Sequence, residues 1–289
     1  MGYSARYHAA SLAAVFLALA VGILIGVGLG SDVVSGTAED LERSLGADLD
    51  QARSEIEALE AELAREREFG AAVYPAVVER SLRNRRIALI GLGGLSDELT
   101  DDVEAALGPA GARISAVAVV REPPQLDALA ATLEGRPARA VSRGEDVALS
   151  RYARRAARAL VKGTPEFDEL RGSLLARFSG SPGKVDGAVL VRERPTELEP
   201  GDEVTTAMIE DGLLAGIRST DLPAAGVERS TDEVSSIGFF ESRGLSTVDS
   251  VDLQAGRVAL VFALRGGALG SFGIKDSADG LLPDLLGRD

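Results

Sequence analysis

The feature that most constrains this chain is an uncharged apolar run close to its N-terminus. Residues 9–30, AASLAAVFLALAVGILIGVGLG, contain no charged side chain. In a helix that rises about 1.5 Å per residue, this run matches a hydrocarbon core about 30 Å thick. It is longer than the apolar segment of about 7–15 residues in a cleaved signal peptide, and a buried strand would be far shorter. The run therefore predicts a transmembrane helix, with a cleaved signal peptide and a buried core helix as the alternatives.

The charges that flank the run predict its orientation. Arg6 lies before it, whereas Asp32, Glu39 and Asp40 follow it and precede the next basic residue. Because basic residues are retained on the cytoplasmic side of a membrane, we expect residues 1–8 to form a short cytoplasmic tail. The chain is then a single-pass protein of the cell membrane, with its bulk outside the cytoplasm.

Small residues recur every fourth position along the apolar run and lie on one face of the predicted helix. They are Ala14, Ala18, Gly22, Gly26 and Gly30. A face of small residues allows two membrane helices to approach closely, so this stripe predicts a helix–helix contact. Gly and Ala are also common in membrane helices generally, which is the alternative reading. A phosphate-binding loop is not favoured, because the glycines are spaced G-x-G-x-G rather than G-x-G-x-x-G.

A heptad pattern follows in residues 37–70 and predicts a coiled-coil stalk over 31–80. Apolar residues alternate in steps of four and three, with charged residues between them. These a and d positions are Leu45, Leu49, Ala52, Ile56, Leu59 and Leu63. A parallel homodimer is favoured because chains confined to one membrane meet at high effective concentration. A helix packed on its own globular domain is the alternative.

Composition excludes several classes of function. The chain has 45 acidic and 31 basic residues and a net charge of −14, which argues against a nucleic-acid partner. It has no Cys, one His (His8) and two Met (Met1 and Met208). A Ser/His/Asp triad outside the membrane and thiol chemistry are therefore not available, and no carboxylate pair stands out. We predict a non-enzymatic protein without catalytic, cofactor-binding or metal-binding residues.

Residues 81–289 predict one α/β domain with a doubly wound, mostly parallel sheet. A strand over 85–94, a helix over 96–111 and a strand over 112–120 make a βαβ unit. Ser96 is the predicted N-cap of that helix, which we expect to end at Gly108-Pro109. Further predicted elements are strands at 185–193, 224–230 and 256–266 and helices at 201–219 and around 232–240. Residues 121–184 are predicted to form a helical insertion.

Two segments of this domain are candidate sites. GLGG at 91–94 lies between a strand and a helix, where a dinucleotide would bind. The third glycine position is Ser96 and the strand at 112–120 contains no acidic residue, so a tight strand–helix turn is favoured over a phosphate site. Lys275, Asp276 and Asp279 lie in a Gly-rich stretch that is read as a solvated loop.

Two blocks of the sequence resemble a known family. The segment SARYHAASLAAVFLALAVGILIGVGLGSDV (4–33) and the tail STVDSVDLQAGRVALVFALRGGALGSFGIKDSADGLLPD (246–284) resemble the actinobacterial MctB family of copper transporters, also described as SteB-type cell-separation proteins. The resemblance implies either copper homeostasis and transport in the cell envelope, or a membrane-anchored partner of a SteA-type protein that stimulates a peptidoglycan hydrolase.

The residues bear on the choice between these two functions. Copper(I) prefers thiolate or thioether ligands and copper(II) favours imidazole, yet Met208 is the only such residue beyond the apolar run. A pore needs several membrane helices or a closed barrel, whereas one helix and buried parallel strands are predicted. We therefore favour a dimeric adaptor with an envelope partner over a direct copper transporter or outer-membrane pore, and copper enters as a ligand only through the family name.

Overall fold

The structure is a computed structural model with two compact units. It describes residues 5–181, 183–194, 197–266 and 269–283, with the backbone alone for residues 5–7 and 28–43 of the first helix. The units are Met1–Arg67 and Glu68–Asp289.

Helix α1 (Ala5–Val78) is divided between the two units. Its residues up to Arg67 form the described part of the first unit, and those from Glu68 onward belong to the second unit. The apolar run is helical, as predicted. Within it, His8–Val27 is long and apolar enough to cross a membrane, and none of this stretch is buried. The alternative of a buried core helix is therefore wrong, and a membrane helix and a signal peptide both fit the stretch.

The second unit is built on a seven-stranded sheet, which confirms the α/β, mostly parallel class. The strands are β1 (Arg86–Gly93), β2 (Arg113–Val120), β3 (Leu175–Gly180), β4 (Gly187–Glu193), β5 (Ala224–Val227), β6 (Ser246–Val248) and β7 (Ser271–Phe272). Their spatial order is β3-β2-β1-β4-β5-β6-β7, and every neighbouring pair is parallel except β2 and β3. The chain winds outward from β1 in both directions, so a topological switch point lies between β1 and β4.

Helices cover both faces of this sheet. They are α2 (Asp97–Ala110), α3 (Leu126–Ala130), α4 (Gly135–Ser142), α5 (Asp146–Lys162), α6 (Glu166–Leu174), α7 (Pro200–Arg218), α8 (Ile237–Glu241) and α9 (Gln254–Arg265). Helices α2 and α9 and the end of α1 share one core with Ile87 and Leu89 of β1. Helices α3 to α8 cover the other face, where Ile90 and Leu92 are buried. Each central strand is thus buried on both faces, which explains its continuously apolar sequence.

The strand predicted at 256–266 is wrong, because this segment is helix α9. Most of its side chains are buried, so the apolar run shows neither a two-residue nor a clear 3.6-residue repeat and cannot be assigned from its periodicity. Close packing also requires Gly256, where a Cβ atom would lie 1.9 Å from the carbonyl oxygen of Ser250.

Helix α2 starts as predicted but ends later. Ser96 is its N-cap, and its Oγ accepts a hydrogen bond from the Leu99 N–H at 3.3 Å. The helix continues through Pro109 to Ala110 and stops at Gly111, which has a φ of +82°. The left-handed glycine therefore ends the helix, and the proline before it does not.

The segment 121–184 contains more than helices. It carries α3 to α6 and also β3, which pairs antiparallel with β2 at the edge of the sheet. The buried side of α5 packs on α7 and on the sheet and includes Leu149, Tyr152 and Ala156. Strands β3, β6 and β7 were not predicted, and the helix predicted around 232–240 is the short α8.

Candidate functional site

Charged side chains meet at the carboxyl ends of β1, β2 and β4, beside the topological switch point. Ligands of open α/β sheets bind in the crevice at this position. Glu122 follows β2, Glu193 is the last residue of β4 and Arg194 follows it, while Glu210 reaches the same place from α7. We call these four residues, together with Arg192, the switch-point cluster.

The N-terminus of α2, which could hold a phosphate, is already occupied by a carboxylate of the chain. The Glu193 carboxylate accepts hydrogen bonds from the Ser96 backbone N–H at 2.7 Å and from the Ser96 Oγ at 2.8 Å. An anion at this position is stabilised by the helix dipole and the free N–H groups. Glu193 therefore takes the place that a nucleotide phosphate would need beside the GLGG turn.

A second carboxylate covers the same turn. Gly93 has a φ of +82°, and a Cβ atom built on it would lie 2.3 Å from Oε2 of Glu122. The bend at the end of β1 and the close approach of Glu122 both require a residue without a side chain. The glycine turn thus serves packing between β1, β2 and β4.

Glu210 is the centre of the cluster. Its side chain is 1% exposed and binds two guanidinium groups, with Arg192 Nε 2.8 Å from Oε1 and Arg194 Nη2 3.1 Å from Oε2. Charge-assisted hydrogen bonds of this kind are stronger than neutral ones, and they compensate the burial of the carboxylate. The contacts attach α7 to the end of β4.

Glu122 is less well compensated. Its side chain is 5% exposed, and its Oε1 lies 3.6 Å from Arg194 Nε without forming a hydrogen bond to any described residue. Burial raises the pKa of Glu122, and the nearby Glu210 charge raises it further, against the opposing effect of Arg194 and Arg192. Glu122 is therefore protonated at a higher pH than an ordinary glutamate.

An aromatic stack extends the cluster to the surface. The Phe239 ring contacts two guanidinium groups, whose central carbons lie 4.1 Å (Arg192) and 3.8 Å (Arg243) from its centroid. Arg243 also binds Asp211 of α7 at 2.6 Å. The ion pair between Asp211 and Arg243 joins α7 to the segment that follows α8, and both residues line a surface cleft of about 400 Å³.

The carboxyl ends of β5 and β6 form a separate clamp on the Gly-rich tail that follows β7. Glu228, which is 2% exposed, binds Lys275 Nζ at 2.6 Å. The Asp249 carboxylate accepts hydrogen bonds from the backbone N–H groups of Ile274 and Lys275 at 2.9 and 2.8 Å. The reading of this stretch as a solvated loop is therefore wrong for Lys275, which is held by a buried acid, whereas Asp276 is exposed.

The predicted contact residues of α1 lie on exposed faces of the helix. A Cβ atom on Gly22 or Gly26 would meet nothing within 4 Å, and Ala14 and Ala18 are exposed. Gly30 lies outside the residues whose side chains are described. In the heptad segment the five large apolar residues, Leu45, Leu49, Ile56, Leu59 and Leu63, are between 50% and 64% exposed, and Ala52 is exposed as well.

Comparison with known proteins places the chain in a family. Residues 3–283 match the family described as "Copper transport outer membrane protein, MctB". The chain belongs to the MctB family. It is 24% identical to the copper transporter MctB of Mycobacterium bovis and equally to that of Mycobacterium tuberculosis, over 95% of this chain and 97% of each relative.

MctB membership confirms the resemblance drawn from the sequence and links the chain to copper-related proteins of the cell envelope. The apolar N-terminal helix agrees with a membrane location. Among the described residues of this MctB-family chain, no group of three or more His, Asp or Glu side chains is placed to hold a metal ion. Met208 packs against the core on the α7 side of the sheet.

Sequence reasoning missed the switch-point cluster of this family member, although a signal was present. Charged residues directly follow apolar strands in VVRE (119–122) and VLVRER (189–194), and likewise Glu228 and Asp249 follow β5 and β6. Because parallel strands end at the same edge of a sheet, such residues are neighbours in space. The partner Glu210 lies in the middle of a helix and carries no comparable signal.

Proposed function

We propose that this chain is a non-enzymatic, membrane-anchored envelope protein that acts in copper homeostasis as a dimeric adaptor. The observation that carries the proposal is the apolar stripe of α1, whose five large residues are at least half exposed. Exposed leucines at a and d spacing are stable in water when a second helix covers them. The small-residue face at Ala14, Ala18, Gly22, Gly26 and Gly30 supports contact between the same two chains in a membrane.

The second unit supports binding more than catalysis. The position where the fold would place a nucleotide phosphate is filled by Glu193, and the charges of the switch-point cluster are largely paired with one another. Such a unit can present surfaces to a partner without changing it chemically. Through the resemblance to SteB-type proteins, the partner we propose is a SteA-type envelope protein that acts with it on a peptidoglycan hydrolase.

A direct copper conductor is the competing function, and the names of the relatives favour it. Against it, the chain has no Cys, one His and two Met, so the ligands that copper prefers are scarce. Its seven-stranded sheet is open and covered by helices on both faces, and one candidate span is described. An indirect effect on copper tolerance through the envelope agrees better with these features.

Cysteine crosslinking in the membrane tests the dimer directly, because the chain has no cysteine of its own. Leu49→Cys and Leu59→Cys place a thiol in the predicted seam, whereas Ser54→Cys and Ala61→Cys place one on the opposite face of the same helix. We expect rapid disulfide-linked dimers from the first pair and slow formation from the second. Equal rates of disulfide formation in the two pairs, or no disulfide-linked dimer at all, would contradict the predicted coiled-coil stalk.

The copper function is tested with the full chain in proteoliposomes loaded with copper. We expect efflux no faster than from protein-free vesicles, together with loss of copper tolerance in cells whose only copy is Leu49→Asp/Leu59→Asp. Protein-dependent copper flux would contradict the adaptor and favour the conductor.

A further inference from the structure

A strongly basic surface on α4 and α5 has no role in the function proposed above. Residues 135–162 contain eight basic and two acidic side chains, although the whole chain has a net charge of −14. All eight basic side chains are exposed. They are Arg136, Arg139, Arg143, Arg151, Arg154, Arg155, Arg158 and Lys162, and we call them the basic track.

The spacing of the basic residues aligns them along the helices. On α5 they occupy positions 151, 154, 155, 158 and 162, which share one face of an α-helix. The opposite face, with Leu149, Tyr152, Ala153 and Ala156, is buried in the core. The cations therefore follow a line about 16 Å long on the outer surface of α5.

Two adjoining clefts connect the residues of this line. The larger cleft, of about 760 Å³, lies between α4 and α5 and is lined by five of the arginines together with apolar groups such as Val147. The smaller cleft, of about 440 Å³, continues along α5 to Lys162. Arg151 and Arg155 line both clefts, so the track is continuous from one to the other.

Most of this charge is not neutralised within the chain. Arg143 pairs with Glu145 at 2.5 Å, Arg155 pairs with Glu166, and Arg158 donates to a Ser219 hydroxyl at 2.7 Å. In the part of the chain that the structure describes, no carboxylate lies within 4 Å of the remaining five, which are Arg136, Arg139, Arg151, Arg154 and Lys162. A field of unpaired cations attracts anions even when the net charge of the protein is negative.

We propose that the basic track binds a linear polyanion that carries regularly spaced phosphate groups. Guanidinium groups bind phosphate through two parallel hydrogen bonds. The continuation of the track past the larger cleft fits a polymer better than a single lipid headgroup, which one cleft would hold. The only aromatic residue between 135 and 162, Tyr152, is 3% exposed, so no ring is available to stack nucleobases and recognition is limited to phosphates.

The test uses the full chain in neutral detergent micelles with inorganic polyphosphate as the probe. We expect binding that weakens steeply with salt and falls about tenfold or more in Arg139→Glu/Arg151→Glu. The control Arg83→Glu/Arg113→Glu changes the net charge equally at exposed sites outside the track and should bind within about twofold of the parent.

Three further measurements make the outcome decisive. Arg154→Gln/Lys162→Gln, which alters only the smaller cleft, should also weaken polyphosphate binding if the track is continuous. An unchanged affinity would overturn the proposal that a polymer binds along both clefts. Binding of short-chain phosphatidylglycerol without binding of polyphosphate would indicate a lipid site. Binding of poly-glutamate as tightly as polyphosphate would indicate unspecific attraction of negative charge. Either result would refute the proposal. These measurements do not depend on dimerisation or on copper, so their failure is distinct from failure of the adaptor.

Discussion

Removing the Glu210 carboxylate should cost the second unit a large share of its stability. Glu210 is 1% exposed and accepts hydrogen bonds from Arg192 and Arg194. Breaking a buried ion pair by removing one partner costs about 3–5 kcal/mol, because the remaining charge is left without compensation. Since the two arginine side chains are 21% and 23% exposed and can be partly rehydrated, we expect Glu210→Ala to cost about 3 kcal/mol, at the lower end of that range.

Pulse proteolysis of the full chain across a urea series measures this cost, because it reports the fraction of folded second unit. The matched control is Glu203→Ala on the same helix, whose side chain is 63% exposed and 3.8 Å from Arg194. An exposed pair contributes about 0–1 kcal/mol, so the control should lower the urea midpoint only slightly. A Glu210→Ala variant as stable as Glu203→Ala would refute the view that this cluster holds α7 to the sheet.

Three further predictions concern the two carboxyl-edge clusters. Because burial raises the pKa of Glu122 above its ordinary value of 4.5, Glu122 ionises at a lower pH in the unfolded chain than in the folded one, and the parent loses stability as the pH rises past 4.5. The urea midpoint of Glu122→Gln, followed by tyrosine fluorescence, should therefore rise relative to that of the parent over this pH range, and a difference between the two midpoints that stays constant with pH would contradict this. Gly93→Ala should destabilise the second unit by about 2–4 kcal/mol, because residue 93 has a positive φ and a Cβ atom there would clash with Glu122. Gly108→Ala, at a position with open space around it, should be neutral or mildly stabilising in the same pulse-proteolysis assay. Lys275→Met leaves the buried Glu228 without its cation, although Ser235 and Ser236 still donate hydrogen bonds to the carboxylate, and should cost about 2–4 kcal/mol in urea unfolding. A loss no greater than that caused by replacing an exposed lysine would show that the clamp is dispensable.

Local signals accounted for much of the fold. The first β-strand, the helix after it and β2 were located within a few residues, because an apolar run, a serine N-cap and a terminal glycine act over short distances. The error at Gln254–Arg265 arose where local signals are weakest, since a segment buried on nearly all sides has the same composition as a buried strand. The short edge strands β3, β6 and β7 depend on pairing with distant segments and have little pattern of their own.

Only part of the candidate site carried a local signal, namely the charged residues that directly follow the apolar strands. Glu122, Glu193 and Glu210 come from three separate segments, and their meeting depends on the order of strands in the sheet. The visible motif, GLGG, raised a phosphate site as a candidate, although its spacing favoured a tight strand–helix turn. The carboxylate that occupies the phosphate position comes from a strand about a hundred residues further along the chain.

The sequence by itself determined the helix over the apolar run, the stripe of heptad residues, the acidic balance and the α/β class, since each follows from composition or from a repeat along the chain. Only the tertiary structure decided that the glycine turn is closed by Glu193 and Glu122, that Lys275 is clamped by Glu228, and that the basic residues of α4 and those of α5 form one continuous track. The physical reason is that these features depend on distances between atoms of different segments. Such distances are set by how the whole core packs and cannot be read from the order of residues.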